Sequence, residues 1–271
     1  MKKDNTKDLI ISPLKLIKIK YKIPYILNLK NNNRELLCFG SQHSHNPENK
    51  QFLKIEKLLY KFIKNKKKEN IIILTEGIVP EKTEKKEVMI KKYKEIGILA
   101  YLAKENNIKI KSVEPSFKDL IKGVKKEKMK KERIALWIAV NILWGKQKRN
   151  LKINDLKDLG KNLLLIYKNL NLNVLKKRED IVNFLINEFK KETGKNIIGV
   201  KKSDLNNCQS PFIKKTAINN ISSRVNFAKD YLMAKEIIKE LKRGKSIFAV
   251  FGHNHVAAQE PALKDFFKNK I

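Results

Sequence analysis

"NIIILTEG", residues 70–77, is a short apolar run that stops abruptly at Thr75-Glu76-Gly77. Apolar side chains at successive positions, without alternation, predict a strand covered on both faces, as in a parallel sheet. Upstream, Phe52, Ile55, Leu58, Leu59 and Phe62 recur at helical spacing and predict a helix over about 48–66. Downstream, a second helix is expected over about 83–105. "IKIKSV", 108–113, then alternates with period two and ends at Glu114-Pro115. Helices between short apolar strands make a βαβ pattern, hence a parallel sheet.

The flanking chain extends this plan. "IPYILNL" (23–29), the turn-prone "NNN" (31–33) and "ELLCF" (35–39) read as a hairpin after a loose lead-in over residues 1–17. Residues 117–193 read as helical, broken near 145–150 and near 171–173. "NIIGVK" (196–201) reads as a further strand and "CQSP" (208–211) as a loop. A long helix is expected over about 212–242, stopping at Gly244. "SIFAVF" (246–251) then makes a core strand, and a closing helix comes after it over 260–268. The expected fold is a single α/β domain, 1–271. Its central, mostly parallel sheet is flanked by helices, with a large helical insertion at 117–193 between the N-terminal and C-terminal strands.

Composition narrows the function classes. A chain of 271 residues, 42% hydrophobic and 33% charged, fits a soluble globular protein with ample core. Cys38 and Cys208 are too few for a disulfide framework and form no CxxC pattern, so reduced thiols in a cytoplasmic setting are expected. The formal net charge of +33 raises the question of nucleic acid. Only six basic residues are arginine, the type suited to bidentate phosphate and base recognition. Lysine, asparagine and isoleucine recur throughout, as a general compositional bias would produce, so a nucleic-acid partner is not expected. The basic run "KKEKMKKER" (125–133) has no interleaved aromatics for base stacking and reads as a solvated helix. No secretory signal is visible in "MKKDNTKDLI". "IALWIAVNILW" (134–144) falls short of the about 20 residues of a membrane span and reads as a buried helix. The oligomeric state is left open.

All four histidines fall in two stretches, "CFGSQHSH" (38–45) and "VFGHNHV" (250–256). Both contain Phe-Gly-x-x-His. In that register His43 and His255 correspond, and His253 is an accessory. His45, two residues on in extended chain, is able to share a face with His43. The motif glycines are expected to provide positive φ at a sharp turn off a strand. Four chemistry-bearing groups come directly after predicted strands: His43, Glu76, Glu114 and His255. Ligands of open α/β sheets bind at the carboxyl ends of strands. Two imidazoles with carboxylates suit Zn, Mn, Fe or Co, and also general acid–base work without a metal. A lone strand-end histidine is usually structural, and a strand-end Glu is often only a helix-start charge. Two copies of one motif in a chain otherwise free of histidine argue for a site. On the long helix, Asp230 and Arg224 stand among Phe227, Leu232, Met233 and Ile237, which read as core. Asp230 is placed to orient a site group or to face solvent.

Taken as an ordered set, these residues resemble the TraB/Tiki superfamily. Gly40-Ser41-Gln42-His43 and Gly252-His253-Asn254-His255 look like its paired GxxH motifs. "LTEG" (74–77) resembles its Glu-bearing strand end, and "KDYLMAKEI" (229–237) its "RDxxMAxxI" helix. Erythromycin esterase-like and ChaN-like haem-uptake proteins share the architecture. The resemblance implies an α/β fold in which the two motifs meet. It also implies a metal-dependent hydrolase of the peptidase or amidase kind, with Mn, Co or Zn held by His43, His255 and Glu76. Glu114, Asp230 and Arg224 complete the implied catalytic set, and the substrate is a peptide or small molecule. Ser41 stands where the esterase-type motif carries Glu, which argues against esterase chemistry. Lys229 replaces the usual Arg, removing a bidentate clamp unless Arg224 substitutes. The alternative is a non-enzymatic protein of the same fold that binds haem, a metal or a small anion.

Overall fold

Among the described residues, five strands form one sheet in the order β1-β2-β5-β3-β4. The computed structural model describes residues 5–31, 34–125, 129–146, 150–175, 177 and 179–269. In chain order the elements are α1 (Pro13–Leu16), β1 (Tyr25–Asn31), β2 (Arg34–Ser41), α2 (Lys50–Ile63), β3 (Ile71–Thr75), α3 (Lys86–Glu105) and β4 (Lys109–Ser112). Then come α4 (Phe117–Lys125), α5 (Lys131–Lys146), α6 (Ile153–Asn169), α7 (Asp180–Thr193), α8 (Lys202–Gln209), α9 (Ala217–Lys242), β5 (Ser246–Gly252) and α10 (His253–Asn269). The chain separates into two compact units. One comprises Met1–Pro115 with Lys229–Ile271, the other Ser116–Ala228.

The first unit holds the sheet. β1 pairs antiparallel with β2, and β2–β5, β5–β3 and β3–β4 are parallel. Strand residues alternate between two cores, as the pleat dictates. Leu37, Phe39, Ile71, Ile73, Phe248 and Val250 pack with Phe52, Ile55 and Leu59 of α2 and with Ile98 and Leu102 of α3. Leu36, Cys38, Ile72, Leu74, Ala249 and Phe251 pack with Met233 and Ile237 of α9 and with Leu263 and Phe266 of α10. Cover on both faces leaves every residue of β5 buried, which explains its uninterrupted apolar sequence. Each large side chain buried this way contributes about 1.5–3 kcal/mol. Asn49 starts α2 by accepting the Gln51 backbone N–H at 3.1 Å.

α3 is two helical segments merged across Lys94, whose φ of 54° and ψ of −132° are not helical. Gly97 permits the fold-back, because a Cβ there would lie 2.1 Å from the Met89 carbonyl oxygen.

The second unit is helical. Ile134 to Val140 of α5 are all buried, as expected of the apolar stretch. Trp137 Nε1 donates to Ser222 Oγ at 2.8 Å, and Tyr167 donates its hydroxyl to the Ala135 carbonyl at 2.8 Å. Among the described residues no helix is long and apolar enough to cross a membrane.

Several local expectations fail for physical reasons. Residues 196–201 form a turn, not a strand. Asn196 Oδ1 accepts the Ile198 N–H at 3.0 Å, and Gly199 takes a φ of 84°. Cys208 and Gln209 end α8 rather than forming a loop, and α9 begins at Ala217. Residues 126–128, in the run read as one solvated helix, lie outside the described residues. Met129 and Lys130 are non-helical and α5 restarts at Lys131. Residues 147–149, in the expected break near 145–150, also lie outside them. The closing helix begins at His253, ahead of the start expected at 260, and carries Pro261 inside it.

Candidate metal centre

Strand register brings the motif ends together. Ser41 pairs with Gly252, and Thr75 with Val250, so β2, β5 and β3 stop at one edge of the sheet. His43, His255 and Glu76 leave these three adjacent strands. His43 Nε2 lies 3.5 Å from Glu76 Oε1, and His255 Nε2 lies 3.5 Å from Glu76 Oε2. One carboxylate thus faces two imidazoles, one oxygen to each.

The outer nitrogen of each ring is braced. His43 Nδ1 meets Glu95 Oε1 in a short contact, and His255 Nδ1 meets Asp230 Oδ1 at 2.7 Å. Asp230 Oδ1 also accepts from Gln259 Nε2 at 3.2 Å. Glu76, Glu95 and Asp230 are all at least nine-tenths buried. Carboxylates on the Nδ1 positions select the Nδ1–H tautomer, which turns the Nε2 lone pairs towards Glu76. Lone pairs then face carboxylate oxygens, an arrangement that calls for a proton or a cation between them. Glu76 Oε2 and Glu95 Oε2 have no hydrogen-bond partner despite their burial. A separation of 3.5 Å exceeds the roughly 2.7–2.9 Å of a charge-assisted hydrogen bond. Two donors about 2.1 Å from a common tetrahedral ion would stand roughly 3.4 Å apart. Each imidazole–carboxylate pair is therefore spaced as two donors to one ion would be. Among the described residues, the group whose donor atoms all lie within 4.8 Å of one another is His43, Glu76 and Glu95, and His255 is not part of it. The Glu95 contact occupies Nδ1, however, so His43 presents Nε2 to Glu76 and Glu95 acts as its brace.

Charge is balanced locally. Burial pushes the Glu76 carboxyl up, but His255, Lys229, His43 and the Gly252 backbone N–H together hold it below its ordinary value. The Glu95 hydrogen bond raises His43 against the effect of burial. Burial lowers His255, but Asp230 and Glu76 outweigh it and leave the imidazole raised. Burial also opposes the Lys229 charge, yet Glu76 and Glu114 keep it raised.

The glycines act through space rather than torsion, contrary to the positive φ expected of them. Neither Gly40 nor Gly252 is among the positive-φ residues. A Cβ on Gly40 would lie 2.8 Å from His253 Cα and 3.0 Å from Tyr25 Cβ. A Cβ on Gly252 would stand 3.5 Å from Glu76 Oε1, from His255 Cδ2 and from His43 Nε2 alike. Gly252 thus leaves open the space that the three groups face. Ser41, in the first motif, ties the two strands by donating to the Phe251 carbonyl at 3.1 Å. Gln51 pins the next residue, accepting the Gln42 N–H at 3.1 Å and donating to its carbonyl.

The remaining candidates divide. Glu114 forms an ion pair with Lys229 at 2.9 Å and acts on Glu76 through that lysine's charge. Arg224 belongs to the second unit, where its Nε donates to Asn220 Oδ1 at 3.1 Å. His45 does not join His43, because its Nδ1 is exposed and engages the Lys91 carbonyl at 2.8 Å. His253 Nδ1 meets the Tyr21 hydroxyl at 3.2 Å, and that hydroxyl donates to Asn254 Oδ1. Sequence reasoning missed Glu95. Its signal was a carboxylate on the apolar stripe of α3, three and four residues before Ile98 and Leu99.

The fold and site define an α/β protein with a His–Glu–His cluster at the carboxyl edge of its sheet. No protein-family profile, curated protein or solved structure matches this chain.

Proposed function

We propose that this protein is a metal-dependent hydrolase acting on peptide or amide bonds, with a divalent ion held by His43 Nε2, His255 Nε2 and Glu76. The observation that carries the reading is the pair of 3.5 Å separations between the two Nε2 atoms and the two Glu76 oxygens. Buried carboxylates behind both rings add support, since outer partners of this kind fix the tautomer and orientation of ligating histidines. Likeness of the ordered motifs to TraB/Tiki proteins points the same way. A bound ion would lower the pKa of its water and polarise a carbonyl. The chain's own residues prepare that step. Glu95 and Asp230 hold both Nδ1 protons and keep the Nε2 lone pairs directed inward. Lys229, fixed by Glu114, keeps Glu76 ionised. Gly252 keeps the facing space open to a reacting group. Cys38 and Cys208 are both free thiols, which supports a cytoplasmic setting.

Titration of the purified protein with Mn, Co and Zn tests the centre. One ion per chain is expected, with binding lost in His43→Ala and in His255→Ala. Unchanged binding in both variants would sink the metal centre. A screen of quenched fluorescent peptides, with and without chelator, tests the chemistry. Tight metal binding with no chelator-sensitive cleavage would leave the non-enzymatic alternative.

A further inference from the structure

At the opposite edge of the sheet, where the parallel strands begin, lies a cavity of about 510 Å³. The β1–β2 hairpin, the end of α2 and Ser246 of β5 enclose it. Five cations line it, Lys30, Arg34, Lys61, Lys64 and Lys66, against one carboxylate, Glu35. Glu35 is already committed, paired with Lys66 at 2.9 Å, and its backbone N–H donates to Ser246 Oγ at 3.3 Å. Lys66 also lies 4.3 Å above the centre of the Phe62 ring. Lys30, Arg34, Lys61 and Lys64 therefore share the cavity with no other lining carboxylate.

A basic composition alone does not account for this. The whole chain carries 61 basic and 28 acidic residues, roughly two to one. A second cleft, of about 590 Å³, sets Lys68, Lys109 and Lys245 against Glu69 and Glu240. A third, of about 390 Å³ in the helical unit, sets Lys195 and Lys215 against Glu192 and Asp204. Both are closer to balance than the first. The partial negative charge at the end of α2 explains a lysine or two there. It does not explain Lys30 and Arg34, which come from the hairpin. Like charges this close repel within a Debye length, and a bound anion removes the repulsion.

We infer that this cavity binds a small, multiply charged phosphate compound of the oligophosphate class. Its volume lies in the range of ordinary small-ligand sites and is too small for more than a short run of phosphates. The Arg34 guanidinium and the lysine ammoniums are the donors such oxygens take. β2 spans eight residues, roughly 25 Å, and separates the cavity from the His–Glu–His edge. Its occupant is therefore an effector and not the molecule acted on, and the inference does not depend on the hydrolase reading.

Calorimetric titration at low salt tests it, with inorganic tripolyphosphate and ATP as separate probes. Saturable one-to-one binding is expected. Arg34→Gln/Lys61→Gln/Lys64→Gln removes several charge-assisted contacts and should weaken it about tenfold or more. Lys50→Gln/Lys54→Gln/Lys57→Gln removes the same charge from exposed positions of the same helix and should change it less than about twofold. Lys61→Gln alone, which leaves the hairpin untouched, serves if the triple variant melts early. Equal affinity for both probes assigns recognition to the phosphates alone, and tighter ATP binding extends it to a nucleotide. Absence of saturable binding, or an equal loss in the two triple variants, overturns the inference.

Discussion

The two Gly-x-x-His stretches share a spacing and little else. The first leaves β2 as irregular chain, is held by Gln51, and ends at an exposed His43 side chain. The second passes straight into α10 and ends at His255 on its first turn, with 15% of the side chain exposed against 49% for His43. Both still deliver an Nε2 atom to one oxygen of Glu76 at 3.5 Å. The requirement falls on where the nitrogen ends, and two backbones meet it differently. The glycines differ likewise: Gly40 admits the backbone of the other motif, whereas Gly252 keeps the site open.

Three substitution or titration experiments sharpen that contrast. The largest effect on the fold should come from Gly40→Ala. Its new methyl would meet His253 Cα and the Tyr25 backbone, which cannot swing aside, so a loss of about 1–3 kcal/mol is expected in chemical denaturation. Gly252→Ala meets only ordinary contact distances and should stay within about 1 kcal/mol. That same methyl occupies the space faced by Glu76 and both imidazoles, so metal affinity should drop while the fold holds. Equal stability losses in the two variants would erase the distinction between the glycines.

Next in size are the braces. Asp230→Asn and Glu95→Gln should each reduce metal affinity by about 10–100-fold without abolishing the one-to-one stoichiometry. Asp230→Asn should also lower stability more, because it disturbs the less exposed ring and the Gln259 contact. Complete loss of the ion in Glu95→Gln alone would make Glu95 a direct ligand.

The smallest effect is the pH dependence of the metal-free protein. Both imidazoles are held above their ordinary value of about 6.5 by their carboxylates. Their contribution is complete below that unfolded value and is lost as pH rises through the raised folded values. The melting temperature should therefore decline as pH rises above about 6.5, and less so in His255→Ala. The more exposed His43 pair contributes less, being screened by solvent. Cation binding should run the other way and weaken in acid, where protons occupy Nε2. A melting temperature that rises over this interval would contradict the assignment.

Much of this was legible in the sequence, for identifiable reasons. β3 and β5 are covered on both faces, and such strands advertise themselves as short apolar runs. Parallel topology then obliges the residues just past their carboxyl ends to share an edge, so His43, Glu76 and His255 could be grouped from the sequence. Glu95 could not be grouped with them: its place on the apolar stripe of α3 points to burial, but it reaches His43 from a helix bent at Lys94, and the sequence does not say where that bend aims it. The strand read into "NIIGVK" shows the converse. Ile197 and Val200 are buried there as a strand's residues would be, yet Asn196 and Gly199 turn the backbone within four residues. The role of the motif glycines was hidden too, since a residue chosen for closeness and one chosen for torsion look alike in sequence.

Strand order has one more consequence, for the birth of the protein. β2 and β3 are not hydrogen-bonded to each other. Both pair with β5, which is translated long after them. A ribosome that has released β4 has made every other strand of the sheet and still lacks its middle. Until residues 246–252 emerge, the inner edges of β2 and β3 stay open as well as the outer edges of β1 and β4, and His43 and Glu76 have no common neighbour to align them.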